Sequence, residues 1–146
     1  MIARHDWMAI AIGAAMLAAP AAGANPSSPL LGLWRTQQQD GLVQIYHCGV
    51  LLCGRIVGGA PLSADPDQRD INNKDLALRS RSIMHLPVLQ NFTGGPDTWT
   101  GGPVYDPVTG DGAGKGTITF EGPNTLKVKG CIAMLLCRTQ RWKRVS

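Results

Sequence analysis

Beyond residue 31 the chain reads as short runs in which apolar and polar residues alternate with a period of two, the pattern of a strand that buries one face. Val43, Ile45 and His47 alternate with Gln44 and Tyr46 over residues 42–48. Leu126 and Val128 alternate with Lys127 and Lys129 over residues 125–131, the cleanest strand in the chain. Six more strands are predicted over residues 32–36, 53–58, 83–93, 98–105, 115–120 and 138–145. Pro87 has no N–H to give a ladder, so it puts an edge or a bulge inside the fourth of the eight. Turn chemistry falls between the runs, at residues 37–41, at Gly94-Gly95-Pro96-Asp97, at residues 106–110 and at Glu121-Gly122-Pro123-Asn124.

Residues 59–81 break the alternation. They are rich in Asp, Asn, Pro and Arg and are predicted as the main irregular loop, with a short helical turn at residues 75–78. Connections of that length in a compact domain are functional or poorly ordered.

Eight consecutive strands joined by turns predict an all-β fold: a single small antiparallel up-and-down barrel, whose interior is filled by side chains or holds one small ligand. The alternation points Val43, Ile45, Ile56, Trp99, Ile118, Phe120, Leu126 and Val128 inward, as the candidate lining of a ligand site or as a solid core. Loops after the first, third, fifth and seventh strands share one end of such a barrel. That end is the candidate mouth, and it gathers residues 37–41, the 59–81 loop, a glycine-rich loop near residue 110 and the apolar turn 132–136.

The first residues follow a different pattern. Arg4 and His5 precede an apolar stretch over residues 7–17, and small residues end in Ala22-Gly23-Ala24, an A-x-A cleavage site. This predicts a signal peptide over residues 1–24 cut after Ala24, a flexible leader over 25–31 and a domain over 32–146. The apolar core is shorter than the roughly 20 residues that span a bilayer, and no second run of that length follows, so no transmembrane segment is expected after cleavage. Asn25 at the new terminus carries no thiol for lipid attachment. A periplasmic or secreted location is expected.

Export changes the reading of the four cysteines, Cys48, Cys53, Cys131 and Cys137, because an even count in an oxidising compartment indicates disulfides. The close spacing within each pair favours 48–53 and 131–137, each bridging a tight turn. A four-cysteine zinc site is the rival, but structural zinc favours C-x2-C spacing, and no metal is expected.

The formal charge of +4 is mildly basic. Its concentration at Arg138, Arg141, Lys143 and Arg144 is read as the solvated face of the last strand, and nucleic acid is not expected as a partner. Catalysis would need a nucleophile with its base, or paired acids. Residues 25–146 offer only His47, His85, Glu121 and scattered aspartates, so neither an enzyme nor a cofactor is expected. The best polar cluster is Arg69, Asp70, Asn72, Asn73 and Asp75 on the long loop, a candidate site for a polar head group or a cation, or else a set of Asx turns that cap the loop from within.

Several segments carry a family likeness: Gly32-Leu33-Trp34, Cys48 with Leu52-Cys53-Gly54-Arg55-Ile56, Arg69-Asp70-Ile71-Asn72-Asn73, Gly101-Gly102-Pro103-Val104-Tyr105-Asp106-Pro107, Leu126-Lys127-Val128-Lys129-Gly130 and Trp142-Lys143-Arg144-Val145. In this order the chain resembles the bacterial DUF2147 family. The resemblance implies an exported protein with a lipocalin-like, calycin-type barrel. Such barrels carry Gly-x-Trp on the first strand and a basic residue on the last that covers the indole. Gly32, Trp34 and Arg144 fit those places, and with Trp142 they are assigned structural roles. Two departures stand out: the glycine-rich 110–116 segment where the family has an aromatic residue, and His85 where glycine is common. Together these readings predict an exported protein that binds a small apolar or amphipathic molecule in its barrel. The alternative is an envelope protein with a solid core that contacts a protein partner or a membrane surface.

Overall fold

The computed structural model describes residues 28–133 and 135–146. The expected signal peptide and the first residues of the leader lie outside the described residues.

Ten strands form one antiparallel sheet: β1 (Gly32–Arg35), β2 (Gly41–Cys48), β3 (Leu51–Gly59), β4 (Pro87–Gly94), β5 (Thr98–Thr100), β6 (Val104–Asp106), β7 (Asp111–Ala113), β8 (Lys115–Gly122), β9 (Thr125–Ala133) and β10 (Leu136–Arg144). The first strand pairs with the last, Trp34 opposite Arg144, and β3 pairs with β4, so the sheet closes on itself. Ten strands make eight staves. Trp99 faces Ile118 and Val104 faces Ala113 in one continuous register, so β5 with β6 and β7 with β8 are two long strands of a single hairpin, each interrupted near its middle. The barrel is therefore the predicted closed eight-stranded form.

Three local readings change. The strand expected from residue 83 begins at Pro87. Ile83 and Leu86 are buried without joining the ladder, because they sit in a turn whose apolar side chains still face the core. The irregularity expected at Pro87 falls just after it, where β4 shifts register twice against β3 and buries Val88 and Leu89 in succession. The glycine-rich stretch is not a wide loop, since residues 111–113 continue the sheet and the chain reverses in a tight turn closed by Gly110 N–H to Asp106 O at 2.8 Å.

Residues 28–31, expected in a flexible leader, pack against the barrel instead. Leu30 is fully buried, its carbonyl accepts the Trp34 indole N–H at 2.8 Å, and Ser28 is buried beside it. Arg144 donates to the carbonyl of Leu31 at 3.0 Å and also to that of Pro29. Residues 28–31 thus close the floor of the barrel. Gly32 at φ +126° is required there, since a Cβ at that position would lie 2.4 Å from the carbonyl oxygen of Ser146.

Inside, Trp34, Ile45, Leu52, Phe92, Ile118 and Leu126 fill the closed half, each almost wholly excluded from solvent. The connection from β3 to β4 holds one short helix, α1 (Ala60–Ala64), and the expected helical turn as a 3-10 turn at Leu76–Leu78. Leu62 from α1 joins the core. His85 adopts φ +64°, a backbone region that favours glycine. Among the described residues no helix is long and apolar enough to cross a membrane.

Candidate functional site

The upper half of the barrel is open. A cavity of about 480 Å³ enters between the four expected mouth segments, with Gln38 and Gln39 from the first turn, Arg69, Ile71 and Asn72 from the long loop, Pro107 and Val108 from the third, and Ile132 and Leu136 from the fourth. Its wall is apolar, formed by Val43, Ile56, Leu62, Ile83, Val88, Val104, Val128 and Trp142. A pocket of this volume, with apolar walls and a few polar groups, has the usual dimensions of a small-molecule site.

The eight inward residues divide at mid-height. Val43, Ile56 and Val128 line the cavity. Ile45, Trp99, Ile118 and Leu126 are buried in the floor below it, outside the cavity lining, and Phe120 is half-buried at the closed end. Sequence alternation cannot separate the two groups, because both point inward.

The polar loop cluster also divides. Arg69 and Asn72 reach the cavity. Asn72 Nδ2 donates to the Val108 carbonyl at 2.9 Å and ties the long loop to the β6–β7 turn. There Gly110 packs so closely that a Cβ would fall 1.8 Å from the Asn72 carbonyl oxygen. Asp75 only caps the 3-10 turn, accepting from Ala77 N–H at 2.9 Å. Asp70 and Asn73 turn inward, away from any ligand, and are buried.

Asp70 is fully buried and is compensated from three sides. Tyr105 Oη donates to its Oδ1 at 2.6 Å, and Asn73 Nδ2 and Arg81 Nε each donate to its Oδ2 at 2.8 Å. Arg81 also lies over the Tyr105 ring, 5.2 Å from the centroid. Burial, reinforced by the hydrogen bond to the Asp70 carboxylate, pushes the Tyr105 phenol up to about 12. A phenol held neutral in this way is a latch between loop and barrel rather than a base.

The basic C-terminal stretch is not one solvated face. In β10 the buried Trp142 fixes the inward row as Arg138, Gln140, Trp142 and Arg144. Arg141 and Lys143 are exposed on the other face, where Arg141 and Lys127 bracket Glu121 at 3.0 and 3.6 Å, and the Arg141 hydrogen bond holds that carboxyl below the usual carboxylate range. Arg144 goes to the floor, its guanidinium carbon 4.1 Å from the Trp34 ring centroid, as the family likeness implied. Arg138 goes to the mouth. It lies 3.7 Å from Asp106 and 3.8 Å from Asp111, and all three residues line the cavity. Gln38 Oε1 and Asp106 Oδ2 on the same rim are buried without a hydrogen-bond partner among the described residues.

Both disulfides are local. Cys48 bonds Cys53 at the closed end, and Cys131 bonds Cys137 across β9 and β10 at the mouth, with Cys137 on the cavity wall. The bonded sulfurs leave no thiolates for zinc. His47, His85 and Glu121 lie away from the cavity wall.

A closed eight-stranded antiparallel barrel with a cavity in its upper half and a tryptophan under arginine at its floor is a lipocalin-like barrel. Residues 32–144 match the family described as "Uncharacterized protein conserved in bacteria (DUF2147)", and the chain belongs to that family. Among solved structures it is similar to protein HP1028 from the human pathogen Helicobacter pylori, described as belonging to the lipocalin family, at 18% identity and a TM-score of 0.69 over 82% of this chain and 85% of that one. That likeness concerns the fold. A search of curated proteins finds no match.

Proposed function

We propose that this protein is an exported carrier that holds one small amphipathic molecule in the upper half of its barrel. The cavity carries the reading: its deep wall is apolar, its rim is polar, and the core beneath it needs no ligand to be complete. Transfer of an apolar tail onto such a wall contributes about 25 cal/mol per Å² removed from water, while the head group stays at the wet rim. The A-x-A site at Ala22-Gly23-Ala24 and the two disulfides support export. The direct test is titration of the protein with an environment-sensitive fluorescent fatty acid, and of a Val128→Phe variant whose ring occupies the cavity. Saturable, one-to-one binding to the first and not to the second is expected; equal signals from both exclude the cavity as the site.

A second reading rests on the mouth itself. Ile71, Ile132, Leu135 and Leu136 stand 65%, 65%, 95% and 67% exposed, a concentration of large apolar side chains at one end of the barrel. Such patches mark contact with a protein or a membrane surface. Salt-sensitive binding to lipid vesicles without uptake of free lipid favours this reading over the carrier.

A further inference from the structure

The polar residues at the mouth bear on the head group that a bound amphiphile would carry. The inference rests on the proposed binding of an amphiphile in the cavity. Among the residues that line it, Arg69 and Arg138 are the two cations, and Asp106 and Asp111 the two anions. Each anion has a partner besides Arg138, although Asp106 Oδ2 makes no hydrogen bond among the described residues. Asp111 lies 3.6 Å from Lys74, and Asp106 Oδ1 accepts from the Val108 N–H at 3.0 Å. Asp106 is also the less exposed partner of its ion pair, with its side chain at 20% against 54% for Arg138.

Arg138 is placed differently. It occupies the top of the inward row of β10, opposite Gly130, where no neighbouring side chain on β9 covers it. Its approaches to Asp106 and Asp111, at 3.7 and 3.8 Å, are too long for hydrogen bonds, so the two carboxylates hold the guanidinium over the cavity without using its N–H groups. Arg69 and Arg138 match Asp106 and Asp111 in number, and Lys74, outside the lining, pairs with Asp111 and leaves less of that carboxylate for Arg138. A planar fork of unused donors above an apolar pocket matches an oxyanion on an apolar tail, since guanidinium binds carboxylate and phosphate with paired hydrogen bonds.

We propose that Arg138 is the head-group residue of the site and that the ligand is an amphipathic anion, a carboxylate or phosphate monoester on an aliphatic chain. The test compares dodecanoate, dodecyl phosphate, dodecanol and dodecylamine, which share one tail, on the wild type and on Arg138→Gln. Because the Arg138 side chain is exposed and makes no hydrogen bond among the described residues, the variant should keep the wild-type unfolding temperature, which is checked first. The expected result is that Arg138→Gln weakens an anion by about tenfold, the effect of one hydrogen bond to a charged group, and leaves dodecanol unchanged. Loss for one anion alone separates carboxylate from phosphate. Equal binding of dodecanoate and dodecanol, with no effect of the variant, overturns the head-group assignment and leaves the carrier reading standing. Preference for dodecylamine overturns it in favour of Asp106 and Asp111. No binding of any of the four overturns both.

Discussion

Arg144 covers Trp34 at 4.1 Å and reaches past it to the carbonyls of Leu31 and Pro123, so one side chain joins the first strand, the last strand and the residues before β1. Arg144→Ala removes a cation-π contact of about 0.5 to 2 kcal/mol and leaves partly buried carbonyls without a donor, for a total loss of about 2 to 4 kcal/mol. Arg144→Lys retains the charge without the fork and falls between. Urea denaturation measures both. Probe affinity should not change in either variant, because the contact lies at the floor.

The division of the interior at mid-height makes neighbouring inward residues behave in opposite ways. Leu126, fully buried in the floor, should cost about 2 to 5 kcal/mol as Leu126→Ala and leave probe affinity nearly unchanged. Val128, two residues along the same strand, borders the cavity. Val128→Phe should abolish binding while lowering stability by no more than the 1 to 3 kcal/mol or so of modest overpacking. Measured together, the pair locates the boundary between core and site.

Tyr105 and Asp70 predict a pH dependence. Burial and the Asp70 carboxylate push the folded phenol up to about 12, above its ordinary value of 10.0. A raised folded value means that the stability it contributes is fully present below pH 10, and is lost as pH rises through 12 while the unfolded chain gives up its proton first. Ultraviolet difference titration of the wild type against Tyr105→Phe isolates this phenol from Tyr46. Tyr105→Phe also strips a donor from the buried Asp70 and should cost about 1 to 3 kcal/mol.

The two disulfides close loops of five and six residues in sequence separation. In the chain-entropy view each then contributes only about 2 kcal/mol, so replacing either pair with serine should leave a folded barrel by circular dichroism. The Cys131/Cys137 pair should also weaken probe binding, because Cys137 borders the mouth, and the Cys48/Cys53 pair should not.

Barrel closure and the mouth segments were legible in the sequence because each leaves a local mark, strict alternation and turn residues, whereas the Trp34–Arg144 contact was implied by the family resemblance. What was illegible depends on height within the barrel or on burial outside a ladder. Val43 and Ile45 look alike in sequence, yet one borders the cavity and the other the floor. Ile83 and Leu86 are apolar like strand residues but are buried from a turn. Leu30 follows two prolines and a serine pair that suggest a free leader, and only the contact with Trp34 reveals it as core. Arg138 did leave a signal. Counting back in twos from an inward Trp142 places it on the inner face, but a run of four basic residues reads first as a solvated strand.

The central claim is that the hollow half of the barrel holds an amphipathic anion. The most direct measurement is native mass spectrometry of the processed protein purified from an envelope fraction without detergent, followed by extraction and identification of whatever is bound. A protein beginning at Asn25 with one small acidic amphiphile per chain is expected, the amphiphile absent from Val128→Phe and depleted in Arg138→Gln. A bare protein mass, together with no binding of the fluorescent fatty acid, would contradict it.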